Sequence, residues 1–217
     1  MKKINTTPDQ QNYSLLLLAI MFLVFIMAIL PWINIDTQKN LLIENGLFES
    51  LTVYGYISCL IIIFASWSWQ QILSKWYFLA LIILFTLREL DYDKAHFTHG
   101  VLKSKQYFSD LVGVNELFIS IGILIFILTV LALIIFKEKN NFIRGIKALK
   151  QSQLAVLSSI ILVIVTKTID GSERKFDIDL SESGKRISLI IEEVGEMGIP
   201  IMFAIAILSY SKKKVRE

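Results

Sequence analysis

Residues 117–136 read LFISIGILIFILTVLALIIF, an apolar run without a single charge. At 1.5 Å of rise per residue such a run makes a helix about 30 Å long, the thickness of the hydrocarbon core of a bilayer. Charge-free runs recur on either side of it, at 10–35, 50–74, 76–87, 151–166 and 197–211. Three of the six meet the length of a span, and three are cut short by charge at one end. Together they predict an all-α polytopic transmembrane bundle of about six spans, near 13–34, 47–68, 75–90, 114–136, 152–169 and 187–210. The whole of 1–217 then forms a single transmembrane domain.

The composition agrees: 54% of the 217 residues are hydrophobic, the mean hydropathy is +0.60, and the apolar residues come in blocks. A soluble domain of similar apolar content spreads it in amphipathic patterns. The net charge of +3 is modest, and the basic residues sit in short loops beside the spans, which argues against nucleic acid as a partner. The expected surroundings are lipid. Cys59 is the only cysteine and falls within a span, so no intrachain disulfide can form. Lys2 and Lys3 precede the first apolar run as in a secretory signal. However, the run is longer than a signal core and ends at Pro31-Trp32 rather than at a small-residue cleavage site, so an uncleaved first span is expected.

Basic residues near span ends favour the cytoplasm. The clusters at 137–150 and 212–216 therefore predict that both termini are cytoplasmic, in a bacterial inner membrane. With six spans, Asp9, Glu138 and Glu217 are the only ones of the 19 acids on the terminal side. The working face is thus expected on the opposite, outer side. Within the basic side, residues 141–154 are amphipathic at helical spacing: Phe142, Ile143, Ile146 and Leu149 share a face that Arg144, Lys147 and Lys150 avoid. Such a segment can lie in the headgroup layer or form a solvated basic loop. On the outer side, the loop at 36–46 is short, that at 89–114 is long and carries aromatics, and that at 170–186 is dominated by charge. The two halves of the chain show no internal repeat, which weakens an inverted-repeat transporter.

Four spans bring ionisable residues to a similar depth near the outer end. Glu49 opens the second span, with Thr52 and Tyr56 on its helical face. Arg88 and Glu89 close the third, Lys167 and Asp170 close the fifth, and Glu192, Glu193 and Glu196 open the sixth at spacings of three and four. Charge at membrane depth costs on the order of 3 kcal/mol per residue and normally faces a bundle interior or a wet cavity. One reading is mutual neutralisation, with Arg88 and Lys167 pairing with Glu49 and one sixth-span carboxylate. The other is a binding site, because Glu49, Glu89, Asp170, Glu192, Glu193 and Glu196 outnumber Arg88 and Lys167. The surplus acids must then be solvated, protonated or bound to a cation, possible ligands including a divalent ion. A site role for Glu196 predicts that Glu196→Gln removes function and spares the fold; structural pairing predicts a loss of stability.

A second candidate is Asp91-x-Asp93-x-x-His96-x-x-His99, whose oxygen and imidazole donors suit a metal ion such as zinc; the alternative is an exposed polar loop. Other patterns fail. Two histidines cannot supply a three-His zinc site. Glu192-Glu193 is similar to the paired glutamates of membrane-embedded prenyl-protein proteases, but Met197 stands where those enzymes carry an Arg. Ser172-Glu173-Arg174-Lys175 fits Ser-x-x-Lys only in a hydrophilic loop.

Glu44-Asn45-Gly46 with Glu49, Arg88-Glu89-Leu90-Asp91, and Glu192-Glu193 with Glu196 together resemble the marker segments of uncharacterised bacterial six-span membrane proteins. The resemblance covers most of the chain. It implies topology and no activity. Three functions stay open: cation or polar-substrate binding or translocation, metal-dependent hydrolysis or transfer on lipid with a glutamate as general base, and a non-catalytic assembly role in which the charges pair across helices.

Overall fold

The computed structural model describes residues 13–43, 46–170 and 180–214. Lys2, Lys3, Asp9, Glu44, Asn45, the Ser172 to Lys175 segment, Arg216 and Glu217 lie outside the described residues. Among the described residues every regular element is a helix. The helices are α1 (Ser14–Ile29, continued by a 3₁₀ turn at Leu30–Trp32), α2 (Ile35–Leu42), α3 (Leu47–Ser66), α4 (Trp69–Ser74), α5 (Trp76–Glu89), α6 (Tyr92–His96), α7 (Lys105–Phe108), α8 (Val114–Lys147), α9 (Gln151–Ile169) and α10 (Glu182–Lys214).

By length and composition four stretches can cross a membrane: Ser14–Trp32, Ile35–Ser66, Val114–Lys147 and Gln151–Ile169. α5, at 14 residues, reaches only about 21 Å. α10 carries charge through its first half and becomes apolar after Glu196. The surface is that of a protein that meets hydrocarbon. Leu18, Phe25, Ile61, Phe118, Leu128 and Ile164, from α1, α3, α8 and α9, are all more than half exposed. A soluble protein rarely shows a contiguous apolar patch beyond a few hundred Å².

α10, the least uniformly apolar of the long helices, is the axis of the bundle. It packs most extensively against α9, then α3, then α1. Ile190, Val194, Met197, Ile199 and Met202 are buried along it. Pro200 lies inside the helix and has no N–H to give to the Glu196 carbonyl one turn back. Its ring instead seats against Gly55 of α3, where an added Cβ would stand 2.8 Å from Pro200 Cγ. The Cys59 thiol donates to the Pro200 carbonyl at 3.2 Å. A small-residue notch thus lets α3 and α10 approach closely, the packing device of helices that lack a hydrophobic drive toward each other in lipid.

Contacts at the two ends show that successive long helices alternate in direction. At one end Arg186, near the start of α10, donates to the carbonyls of Pro31 (2.8 Å) and Ile33 (3.1 Å) and to Gln38 Oε1, all beyond the end of α1. At the other end the Tyr13 hydroxyl, just before α1, donates to the Leu149 carbonyl at 2.7 Å. There too Trp67, after α3, meets the rings of Phe78 at the start of α5 and Tyr210 near the end of α10. Lys75 Nζ reaches Glu138 of α8 at 2.8 Å, and Glu138 also accepts from the Tyr77 hydroxyl.

One expectation about connections is corrected, and another gains detail. Residues 141–147 form neither a headgroup-lying helix nor a loop, but continue α8 without a break. No proline interrupts them, so the helix propagates through the charged stretch from Lys137. It stops at Leu149, in the left-handed region at φ 49°, where Lys150 N–H closes back on the Gly145 carbonyl and Leu149 N–H on Ile146. The long segment at 89–114 folds as α6 and α7 and is pinned to the start of α8. Gln106, fully buried, donates to Glu116 Oε1 (2.8 Å) and to Ser120 Oγ (3.0 Å), while Thr98 gives its N–H and hydroxyl to the same Glu116 carboxylate.

Candidate functional site

The ends of α5 and α9 and the first halves of α3 and α10 bring the predicted charges together. Arg88, in the last turn of α5, is the hub. Its Nη2 donates to Glu196 Oε1 at 2.8 Å and lies 3.0 Å from Glu89 Oε1. Lys167 Nζ, from the last turn of α9, reaches the same Glu196 oxygen at 3.0 Å and Asp170 Oδ2 at 3.4 Å. One carboxylate on the central helix therefore ties α5 and α9 to α10. Both bases converge on Glu196, whereas the pairing reading assigned one of them to Glu49. Glu49, in the first turn of α3, lies within electrostatic reach of Glu89 and Glu193.

Two buried oxygens at this end have no hydrogen-bond partner among the described residues. The Glu89 side chain is only 6% exposed, and its Oε1 lies near Arg88 without hydrogen-bond geometry. The Tyr56 hydroxyl is also unpartnered, on a residue with no exposed surface. Thr52 on the same face is satisfied locally by the Phe48 carbonyl at 2.9 Å. An unmatched buried oxygen is costly unless something else, such as water or a ligand, meets it.

Glu192 and Glu193 sit one turn before Glu196, half-buried, and make no ion pair or hydrogen bond among the described residues. With Arg88 and Lys167 both bonded to Glu196, Glu192 meets those two cations only through space. The floor beneath the cluster is aromatic: the Tyr56 ring stacks on Phe85 at 5.6 Å, Phe203 closes on both, and the Arg88 guanidinium lies 5.9 Å from the Phe85 ring centre. Sequence reading missed Phe85 and Phe203, because a phenylalanine within an apolar run carries no signal that separates a site wall from a lipid-facing residue.

Among the described residues, no three His, Cys, Asp or Glu side chains are arranged to hold a metal ion. That applies to the acid cluster and to the second candidate alike. Asp91 pairs with Lys94 at 2.9 Å, His96 Nδ1 lies 3.0 Å from the Tyr92 carbonyl with the two rings stacked, and Asp93 packs beside Gly100. The His99 N–H donates to Gln106 Oε1 at 2.8 Å, and its Nε2 is buried without a partner among the described residues. Asp91, Asp93, His96 and His99 are therefore held in separate local contacts, not gathered on one point.

The chain matches no known protein family, curated protein or solved structure. What it can do is therefore argued from this geometry. Among the described residues, six carboxylates (Glu49, Glu89, Asp170, Glu192, Glu193 and Glu196) gather at this end around Arg88 and Lys167, an arrangement that attracts positive charge. Because Glu196 is held from two sides, it is positioned rather than free to swing, and the neighbouring acids are presented by a rigid helix.

Proposed function

We propose that this protein is a six-span protein of the bacterial inner membrane, with both termini cytoplasmic, that binds a cation or a positively charged polar substrate at its outward acid cluster and serves in its uptake or passage. One observation carries the reading: Glu192 and Glu193 stand half-buried and without an ion-pair or hydrogen-bond partner among the described residues, beside a Glu196 that Arg88 and Lys167 both contact. Mutual pairing accounts for Glu196 but leaves these two acids unexplained. The alternating helix directions support six crossings, with α5 and α10 completing the four apolar stretches. The resemblance to uncharacterised six-span proteins implies the same topology.

The ligand test is thermal unfolding of the purified protein in detergent, at constant ionic strength, with K⁺, Mg²⁺, Ca²⁺ or spermidine added in turn. At least one should stabilise the wild type in a saturable way. Glu192→Gln with Glu193→Gln should weaken that response about tenfold or more while leaving the ligand-free midpoint nearly unchanged, since neither side chain has an ion-pair or hydrogen-bond partner among the described residues. A flat response to all four, or a response the double variant retains, refutes the site. Orientation is tested with reporter fusions after residue 217: cytoplasmic activity is expected, and periplasmic activity would mean an odd number of spans.

A further inference from the structure

Between α5, α8, α9 and α10, opening at the end of the bundle opposite the acid cluster, lies a groove of about 690 Å³, within the size range of sites that enclose small ligands. Its walls are apolar, with Ile160 and Ile164 of α9 and Leu131 of α8 more than two-fifths exposed along it. From Ser152 to Ile164 it follows α9 for about 18 Å at 1.5 Å per residue, close to the roughly 15 Å of one leaflet's hydrocarbon. Its inner end reaches Phe85 and Phe203. Its mouth is basic. Lys75 is neutralised there by Glu138 at 2.8 Å, but Arg144 is bonded only to neutral oxygens of Asn140 and Asn141. Lys150 makes no ion pair among the described residues. Trp67 also lines the groove.

We propose that this groove holds one acyl chain of an anionic phospholipid, whose phosphate lies between Arg144 and Lys150. Each feature matches a part of that molecule. The apolar walls match the chain in length, and the two cations without an ion pair among the described residues match the phosphate. A zwitterionic lipid would supply the chain but offset its phosphate with an ammonium. The proposal requires membrane insertion; it does not depend on what the acid cluster binds.

The test uses the full chain reconstituted in phosphatidylcholine vesicles containing a minority of phosphatidylglycerol, with either lipid spin-labelled on its chain. The immobilised fraction is read by electron paramagnetic resonance. The wild type should prefer phosphatidylglycerol about thirtyfold, the scale of two basic residues at an anionic headgroup. Arg144→Gln with Lys150→Gln should remove the preference, and Ile160→Trp should fill the groove and remove the immobilised component. Lys139→Gln with Lys147→Gln, basic residues on the same helix but outside the groove, should change neither. Equal retention of the two lipids by the wild type, no effect of the Arg144 and Lys150 substitutions, or an equal loss from the Lys139 and Lys147 control would overturn the proposal.

Discussion

Arg88→Met is expected to destabilise the protein by about 3 kcal/mol, and more than Glu196→Gln does. Removing one member of a buried ion pair leaves the other charge stranded, at a cost of about 3–5 kcal/mol when burial is complete. Arg88 is the only base within ion-pair distance of Glu89 among the described residues, and the Glu89 side chain is 6% exposed. Partial exposure of Arg88 itself, at 31%, places the expected cost at the low end. Glu196→Gln is milder because each base keeps an acid nearby: Glu89 lies 3.0 Å from Arg88, and Asp170 lies 3.4 Å from Lys167. The Lys167 contact is 41% exposed on the lysine side, so solvent screening limits it to under about 1 kcal/mol. Unfolding by titrated denaturing detergent measures both variants. The double variant should lose less than the sum of the singles, since they share one network. Wild-type stability in Arg88→Met would show that water, not Arg88, satisfies Glu89, and Glu196 would lose its part as the tie between helices.

Gly55→Val is expected to cost a further large amount, about 3 kcal/mol, and to loosen α3 from α10. A Cβ at residue 55 would stand 2.8 Å from Pro200 Cγ and 2.9 Å from Pro200 Cβ. A proline ring cannot rotate aside as a leucine tip can, so the helices must separate, and overpacking of this kind costs about 1–3 kcal/mol before the Cys59 contact is counted. The better helix propensity of a residue other than glycine returns less than about 1 kcal/mol. Pro200→Ala should recover part of the loss by removing Cγ, and a double-mutant comparison reads that coupling. If Gly55→Val unfolds like the wild type, the close approach of α3 and α10 is not what holds the bundle.

These two predictions fall on opposite kinds of residue, and the contrast shows what a sequence can reveal. Arg88 and Glu196 were legible because charge inside an apolar run is rare and must be answered by something at the same depth. Which acid answers which base was not legible. Glu49 was an equal candidate on paper, yet Arg88 and Lys167 converge on one oxygen of Glu196. Gly55 and Pro200 lie 145 positions apart, and nothing in either neighbourhood announces that they touch. Gln106, Glu116 and Ser120 were read only as part of a long polar loop and the start of a span, and their buried network depends on how that loop folds back.

By itself the sequence determined that the protein is helical and built for hydrocarbon, because the length of an uncharged run and the thickness of a bilayer are one-dimensional quantities that can be compared without coordinates. It also singled out Glu49, Glu89, Glu192, Glu193 and Glu196 as acids that meet at one end, since each stands near the charged end of an apolar run. Only the tertiary structure decided that α10, with its charges and its proline, is the buried axis while the more apolar α8 lies at the periphery. In lipid, apolar character gives no preference for the interior. Close approach at Gly55 and the ionic ties of Glu196 select the central helix instead, and both depend on contacts between distant parts of the chain.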